Sequence, residues 1–299
     1  MGVIALSLVG PTASGKSAAA LELARHDRDL ELVSVDSMQV YRGLDIGTAK
    51  PTAAEQAEVA HHLIDLVEPD EEYDVARFQL DMADALAGVE ARGHRAVLVG
   101  GTGLYLRAAT DGLTLPGRFP ATRAELEAEP DTVALHRRLA ALDPVGAARM
   151  EPANRRRVVR ALEVTLGSGR PFSSFGPGLE TYPPLDFPIV WLELDRDELD
   201  VRIEQRFATQ LAAGFLDEVR ELRSRPNGLS RSAGQALGYR ELLAHLDGEL
   251  DLHEAVDLAI SRTRRFARRQ QRWFRRDPRL LAVPAGHNAV AAIAARLGD

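Results

Sequence analysis

Eight residues near the start of the chain form a loop of the type that cradles phosphate groups. Residues 10–17 read GPTASGKS, which fits the pattern G-x-x-x-x-G-K-[ST], with an apolar run before them and a helical pattern after them. In such a loop, backbone N–H groups converge on phosphate oxygens, the lysine adds a positive charge and the last hydroxyl is available to a magnesium ion. The predicted phosphate-binding residues are Gly10, Pro11, Thr12, Ala13, Ser14, Gly15, Lys16 and Ser17, and the predicted metal ligand among them is Ser17.

Asp36 directly follows an apolar run, at a point where ligands meet the ends of parallel strands. Three interpretations are open from the sequence. The carboxylate can hold magnesium through water, act as a general base that takes a proton from an acceptor, or cap the turn after the strand. The neighbouring Ser37 and Gln39 add hydrogen-bonding groups suited to the edges of nucleobases.

A second turn and three arginines are further candidates for ligand contacts. Residues 101–103 read GTG, so Thr102 lies between glycines that suit either close approach of a ligand or a tight turn with positive φ. Arg202 and Arg206 are spaced i, i+4 on a predicted helix, and Arg220 lies further along. Such arginines can clamp a diphosphate, although a single arginine is more commonly a surface residue.

Composition limits the chemistry that these residues can support. The chain has no cysteine, which excludes thiolate catalysis and cysteine-ligated zinc but leaves oxygen-ligated magnesium as the expected cofactor. The net charge of −7 argues against a uniformly basic nucleic-acid binder. Residues 261–280, however, contain nine arginines and one acid, Asp277. This block suits a phosphate backbone or, alternatively, a solvated helix face.

The elements that position these residues alternate between strand and helix. Apolar runs at residues 3–9, Leu30–Val35 and 96–99 predict buried parallel strands, and helical spacing at residues 17–25 and 75–92 predicts the helices that connect them. This order is typical of an α/β fold with a P-loop-type parallel sheet core and flanking helices.

The alternation stops in the middle of the chain. Helical patterns cover residues 121–129, 132–142 and 154–166, so we predict a helical insertion domain at residues 116–184 and a P-loop α/β core at residues 1–115 and 185–299. In the second part of the core we predict a strand at 189–194, a helix at 196–213 and a final arginine-rich helix at 255–276.

The chain carries no sign of membrane targeting. No run approaches the roughly 18 apolar residues that span a bilayer, and residues 1–10 lack a basic leader and a cleavage site. We expect a cytoplasmic protein that acts as a monomer.

Several motifs in one order resemble those of the tRNA dimethylallyltransferase family, the bacterial enzymes that prenylate the adenosine beside the anticodon. The resemblance covers nearly the whole chain, and an ordered set of motifs is far more specific than a P-loop alone. The matching segments are residues 10–17, VDSMQVYR at 35–42, DIGTAKP at 45–51, HHLID at 61–65, GGTGLY at 100–105, RRRVVRALEV at 155–164, QALGYR at 235–240 and WFR at 273–275.

The resemblance implies transfer of the dimethylallyl group from dimethylallyl diphosphate to N6 of adenosine 37 in the anticodon stem-loop of tRNAs that read codons starting with U. It implies that the P-loop binds the diphosphate with Mg²⁺, that Asp36 is the base, that Thr102 orients the acceptor and that Arg220 binds the diphosphate. The implied tRNA contacts are Asp36, Ser37, Met38, Gln39, Thr102, Arg123, Asn154, Arg155, Arg156, Arg157 and Val158. We also expect charge reversal at Arg264 and Arg268 to weaken tRNA binding.

Three other functions fit part of the pattern. A P-loop kinase of nucleosides or nucleotides would explain the loop and Asp36, but it leaves the insertion and the basic helix without a role. An enzyme that prenylates free adenine nucleotides would differ only in its acceptor. A non-catalytic RNA-binding switch would bind RNA according to nucleotide occupancy and form no covalent product.

Overall fold

The computed structural model describes residues 2–176, 178–179 and 181–297. The chain divides into two compact units: a core unit, Met1–Thr110 with Pro184–Asp299, and an insertion unit, Asp111–Pro183. The insertion unit thus begins at Asp111, whereas the sequence pattern places its start at residue 116. None of the helices in the described ranges is long and apolar enough to cross a bilayer.

The core unit is built on one six-stranded sheet in which every pair of neighbouring strands is parallel. The strands are β1 (Ile4–Val9), β2 (Leu30–Val35), β3 (His61–His62), β4 (Arg95–Gly100), β5 (Ile189–Glu193) and β6 (Leu280–Pro284). Their order across the sheet is β3-β2-β4-β1-β5-β6. The predicted α/β class with a parallel sheet is therefore confirmed.

The helices are α1 (Lys16–His26), α2 (Ala53–Glu58), α3 (Val75–Ala91), α4 (Gly103–Thr110), α5 (Pro120–Ala128), α6 (Thr132–Leu142), α7 (Pro144–Ala148), α8 (Arg155–Ser168), α9 (Arg196–Ala212), α10 (Phe215–Arg223), α11 (Tyr239–Leu246), α12 (Leu252–Phe274) and α13 (Ala289–Ala294). Two short 3₁₀ turns lie at Phe172–Phe175 and Ala233–Gln235. Helices α5 to α8 belong to the insertion unit.

The sheet is apolar on both faces because helices cover both. Successive side chains of a strand point to opposite faces. In β5, Ile189 and Trp191 join the apolar layer that contains α3 and α12, whereas Val190 and Leu192 join the layer that contains α1 and α13. Continuous apolar strands of this kind require two helical layers.

The insertion unit has its own small helical core. Val158 and Leu162 of α8 are fully buried against Leu126 of α5 and Leu139 of α6. Glu163 is buried beside them, and its carboxylate accepts hydrogen bonds from the Phe119 N–H and from two arginines of the same unit.

The arginine-rich helix is not the last element, contrary to the prediction. After α12 the chain forms β6, which pairs with β5, and then α13, which packs in the layer of α1. The strand β6 is only five residues long, is partly exposed and ends at Pro284, as edge strands commonly do. Its local sequence therefore carries a weak strand signal.

Candidate active site

A cavity of about 480 Å³ opens where β1, β2 and β4 end. Because these strands are parallel and adjacent, their carboxyl ends bring the P-loop, Asp36 and Thr102 to one edge of the sheet. The predicted residues that line the cavity are Thr12, Lys16, Ser17, Asp36, Ser37, Met38, Gln39 and Thr102. The structure thus places the phosphate loop and the candidate base around the same space.

The P-loop takes the shape that its glycines allow. Gly15 precedes α1 with φ 90°, a left-handed conformation, and Ala13 has φ 63°. The N–H of Thr12 donates to Oε1 of Gln270, 2.9 Å away, and Nε2 of Gln270 donates to the carbonyl of Gly101 at 2.8 Å. Gln270 of α12 therefore ties the P-loop to the second glycine turn.

Two cationic side chains meet at the P-loop. Burial is the main influence on Lys16, and it lowers the pKa of this lysine to about 8; Asp36 raises that pKa, while Arg206 lowers it. The pKa of the Arg206 guanidinium is also lowered, chiefly by burial. Nη1 of Arg206 donates to Oγ1 of Thr12 at 3.3 Å, and none of the described residues forms an ion pair with it.

These two cations make the cavity an anion site. A buried charge without a partner is costly, and a bound anion relieves the cost. Lys16 and Arg206 converge on the loop whose backbone geometry suits phosphate, so the cavity is arranged for a ligand with phosphate groups.

One oxygen of the Asp36 carboxylate accepts a hydrogen bond within the protein, and the other has no hydrogen-bond partner among the described residues. Oδ1 accepts a hydrogen bond from the Met38 N–H at 2.8 Å, which fixes the turn after β2. No described residue donates to Oδ2. The capping and functional interpretations of Asp36 are thus compatible, because each uses a different oxygen.

Gln39 lies at the cavity, but its amide is engaged within the protein. Its Oε1 accepts a hydrogen bond from the Ser34 hydroxyl at 2.8 Å, and its Nε2 donates to the carbonyls of Thr48 and Ala49, each at 3.3 Å. Gln39 therefore links β2 to the loop of residues 45–50. In contrast, no described residue bonds to the hydroxyl of Thr102.

The loop of residues 45–50 lines one side of the cavity and is fixed from α10. The Glu218 carboxylate accepts hydrogen bonds from three successive N–H groups, those of Asp45, Ile46 and Gly47, at 2.7–3.2 Å. The hydroxyl of Tyr239 donates to the same carboxylate at 2.6 Å. Such a cluster of N–H donors on one carboxylate holds the backbone in a single arrangement.

Lys50 fixes the other end of this loop. Its side chain is 2% exposed, and its Nζ donates to the Tyr41 carbonyl at 2.7 Å and to the carboxylates of Asp45 and Asp65 at 2.5 and 2.6 Å. Lys50 is therefore a structural lysine with all three donors used, whereas Lys16 faces the cavity.

The structure does not bring Arg220 to the cavity, which corrects its predicted role. Its side chain is 53% exposed on α10 and pairs with Asp217 at 2.5 Å. Arg206 of α9 occupies the cavity instead. The local sequence does not separate the two arginines, since only the tertiary packing of α9 against the P-loop decides which of them is turned inward.

Several residues of the insertion unit that were predicted to contact tRNA are engaged inside that unit. Val158 is fully buried, which corrects its assignment, because its side chain belongs to the helical core. Arg123 pairs with Glu127 and Glu163. Arg155 donates to carbonyls at the end of α5, at Glu127 and Glu129, where it stabilises the helix end.

The remaining residues of this predicted set lie at the surface of the unit. Asn154 is exposed and caps α8 by accepting a hydrogen bond from the Arg157 N–H. Arg156 and Arg157 are exposed, and their guanidinium groups have no partner among the described residues. These two arginines keep their full hydrogen-bonding capacity.

Sequence reasoning overlooked the polar residues that reach the cavity from the second half of the chain. Gln210, Gln235 and Gln270 line it, and Glu218 supports its wall. Two signals were available in the sequence: Gln235 opens the QALGYR segment, and Gln270 lies within the arginine-rich helical segment.

Comparison with known proteins gives consistent matches. A family model described as IPP transferase matches residues 39–277, and one described as isopentenyl transferase matches residues 3–66. The tRNA dimethylallyltransferase of Kineococcus radiotolerans is 48% identical over 290 residues, which cover 94% of this chain and 90% of that protein. The tRNA dimethylallyltransferase of Geobacter metallireducens is 48% identical over 282 residues, covering 92% and 90%.

A solved structure is similar over the same extent. The full-length tRNA isopentenylpyrophosphate transferase from Bacillus halodurans is 36% identical to this chain, with a TM-score of 0.69. The match covers 98% of this chain and 96% of that one.

Proposed function

The chain belongs to the tRNA dimethylallyltransferase family, and on that premise we propose that it transfers the dimethylallyl group from dimethylallyl diphosphate to N6 of adenosine 37 in tRNAs that read codons starting with U. The products are N6-(dimethylallyl)adenosine in the anticodon loop and diphosphate. One observation carries this proposal: a P-loop with two inward cations shares its cavity with a carboxylate oxygen that no described residue contacts.

Departure of the diphosphate is the demanding step. The exocyclic amine of adenine is a poor nucleophile, so the allylic carbon gains cationic character as its bond to the diphosphate oxygen breaks. The P-loop amides, Lys16 and Arg206 stabilise the negative charge that develops on the leaving group, and fixed charges do this without reorganising. Arg206 takes the role that the sequence assigned to Arg220.

Asp36 completes the transfer at the acceptor. As the bond between N6 and the allylic carbon forms, the amine becomes positively charged and must lose a proton. The open Oδ2 of Asp36 accepts that proton. The hydroxyl of Thr102, also at the cavity, is free to orient the adenine.

The residues at the P-loop fit a magnesium ion that is bound mainly by the substrate. Magnesium is commonly held by one or two protein ligands together with phosphate oxygens and water. Ser17 lines the cavity and is exposed, Asp36 supplies a nearby carboxylate, and no cluster of three or more acidic or histidine side chains forms a separate metal site in the described ranges. When bound, the ion would neutralise charge on the diphosphate.

Reaching the target adenine requires contacts beyond the cavity. A base in a stacked loop must be extruded before it reacts, at a cost of roughly a few kcal/mol. Contacts to the tRNA backbone offset that cost, and the exposed Arg156 and Arg157 of the insertion unit are suited to them. Because the proposed substrate is tRNA, we propose that the protein acts in the cytoplasm; its action as a monomer stays an expectation from the sequence.

The direct test is product formation. The protein is incubated with dimethylallyl diphosphate, magnesium and an unmodified tRNA whose adenosine 37 lies in an A36-A37-A38 run, and the nucleosides are analysed by mass. One prenyl group on adenosine 37 is expected. Prenylation of AMP in preference to tRNA, or phosphoryl transfer from ATP without prenylation, would overturn the proposal.

A further inference from the structure

Both glycines that flank Thr102 are packed against α12. A Cβ added at Gly101 would overlap Nε2 of Gln270, and one added at Gly103 would overlap the indole of Trp273. Neither glycine has a φ in the left-handed region. The positive φ that the sequence allowed is therefore not the reason for these glycines. Each of them leaves room for a side chain of α12 beside the Thr102 turn.

Gln270 makes one hydrogen bond on each side of the cavity. Its Oε1 accepts from the Thr12 N–H at 2.9 Å, and its Nε2 donates to the Gly101 carbonyl at 2.8 Å. Because one partner only donates and the other only accepts, a single orientation of the amide satisfies both. Gln270 is 7% exposed, so a side chain without these groups would leave a poorly solvated N–H and carbonyl unpaired.

The P-loop is bound from two helices at the same residue. Thr12 accepts at its hydroxyl from Nη1 of Arg206 on α9, at 3.3 Å, and donates its N–H to Gln270 on α12. The two helices are joined to each other, since Arg268 of α12 pairs with Asp200 of α9 at 2.9 Å. Gln270 extends this connection across the cavity to the turn that carries Thr102.

We propose that Gln270 is a positioning residue that sets the distance between the P-loop, where the diphosphate departs, and the Thr102 turn, where the acceptor adenine is oriented. This inference rests on the proposed function. The amine and the allylic carbon react from roughly 3–3.5 Å apart, and a misplacement of about 1 Å can lower the rate by about 10². Gln270 acts through Thr12 and Gly101, and not on the reacting atoms.

The first test is Gln270→Met, because methionine has a similar length but makes neither hydrogen bond. We expect kcat to fall by roughly 10², while the Kd for dimethylallyl diphosphate changes little, since Lys16 and Arg206 remain. Single-turnover kinetics and calorimetry on the folded variant measure the two effects. The matched control is Gln271→Met, the same change at the next residue, which is also 7% exposed but does not line the cavity. It should keep the wild-type kcat.

The second test is Gln270→Glu, which gives a result that a loss of stability alone would not produce. An ionised glutamate still accepts from the Thr12 N–H but turns a second acceptor toward the Gly101 carbonyl, whereas the protonated acid has a donor for it. The kcat of this variant relative to that of the wild type should therefore rise as the pH falls. The ratio removes the common effect of the titratable groups that line the cavity in both proteins, chiefly Lys16, Asp36 and Arg206.

Three results would overturn the inference: a wild-type kcat in Gln270→Met, an equal loss of kcat in Gln271→Met, or a ratio for Gln270→Glu that does not change with pH. A loss of kcat that only follows the loss of folded protein would do the same. If the wild-type protein forms no prenylated tRNA, the proposed function fails and this inference fails with it. An active wild type with an unaffected Gln270→Met variant refutes the inference and leaves the proposed function standing.

Discussion

At the residue scale, the central feature is a pair of cations at the P-loop, Lys16 and Arg206, that form no ion pair with any described residue. Lys16 and Arg206 both have a lowered pKa because burial disfavours their charged forms. Lys50, by contrast, is buried with two carboxylates. The two lysines of the chain therefore differ in their partners: Lys50 is paired with two carboxylates, whereas the Lys16 ammonium, among the described residues, donates only to the Pro11 carbonyl, at 3.3 Å, and lines the cavity.

The substitution Asp36→Asn should separate catalysis from structure. The asparagine amide would keep an oxygen that accepts from the Met38 N–H, so the turn should persist, but it could not take a proton. We expect turnover to fall by roughly 10² or more while donor and tRNA binding change little. Single-turnover kinetics with calorimetric binding would measure both, and wild-type turnover would remove Asp36 from the mechanism.

Arg206 and Arg220 form a matched pair for the diphosphate contact. Arg206→Gln should raise the KM for the donor and lower kcat, since it removes a cation from the cavity. It should also leave the ligand-free protein as stable as the wild type or more so, because an unpaired buried charge is lost. Arg220→Gln should change neither kinetic constant, as its side chain is exposed. Equal losses in the two variants would contradict the assignment.

Donor binding should depend on pH through Lys16. In the ligand-free protein this lysine has a pKa of about 8, so it carries its charge below that pH and loses it above. The affinity for dimethylallyl diphosphate should therefore fall as the pH rises from about 7 to about 9, because binding above the pKa requires proton uptake. Calorimetry in buffers of different ionisation heat would detect that uptake, and a constant Kd with no proton uptake would be inconsistent with it.

At the element scale, short loops at the strand ends form the site, and distant helices fix them. The P-loop, Asp36 and Thr102 could be placed from the sequence because each follows an apolar strand pattern. The contacts that hold them could not, since Gln270 bonds to Thr12, and Glu218 to Ile46, across more than 170 residues of sequence. A local sequence pattern gives no information about contacts between residues that lie so far apart in the chain. The short strands β3 and β6 escaped prediction for a related reason, because their pairing depends on neighbouring strands.

Glu218→Gln should loosen the wall of the cavity without touching the chemistry. A neutral amide accepts more weakly from the three N–H groups of the loop, and one of its two ends is a donor. We expect a loss of about 1–3 kcal/mol in the free energy of unfolding and an increase in the donor KM. Glu221→Gln, on the exposed side of the same helix, is the control. Equal stability of the two variants in chemical denaturation would contradict the role of Glu218 in holding this loop.

At the scale of the whole molecule, an acidic chain carries local basic surfaces for an anionic substrate. The net charge is −7, yet arginines with no ion-pair partner among the described residues gather on α12 of the core unit and at the start of α8 in the insertion unit. The sequence predicted both basic segments. It could not tell which arginines in each are free, because ion pairs with α9 and α11, and hydrogen bonds to the end of α5, form only in the folded units.

The most direct measurement is a crystal structure of the protein with a non-reactive analogue of dimethylallyl diphosphate and magnesium. The diphosphate should lie in the P-loop, bonded to Lys16 and Arg206, with the allylic carbon facing Oδ2 of Asp36. A donor bound elsewhere, or a diphosphate held in the P-loop with its allylic carbon turned away from Asp36, would contradict this description of the site.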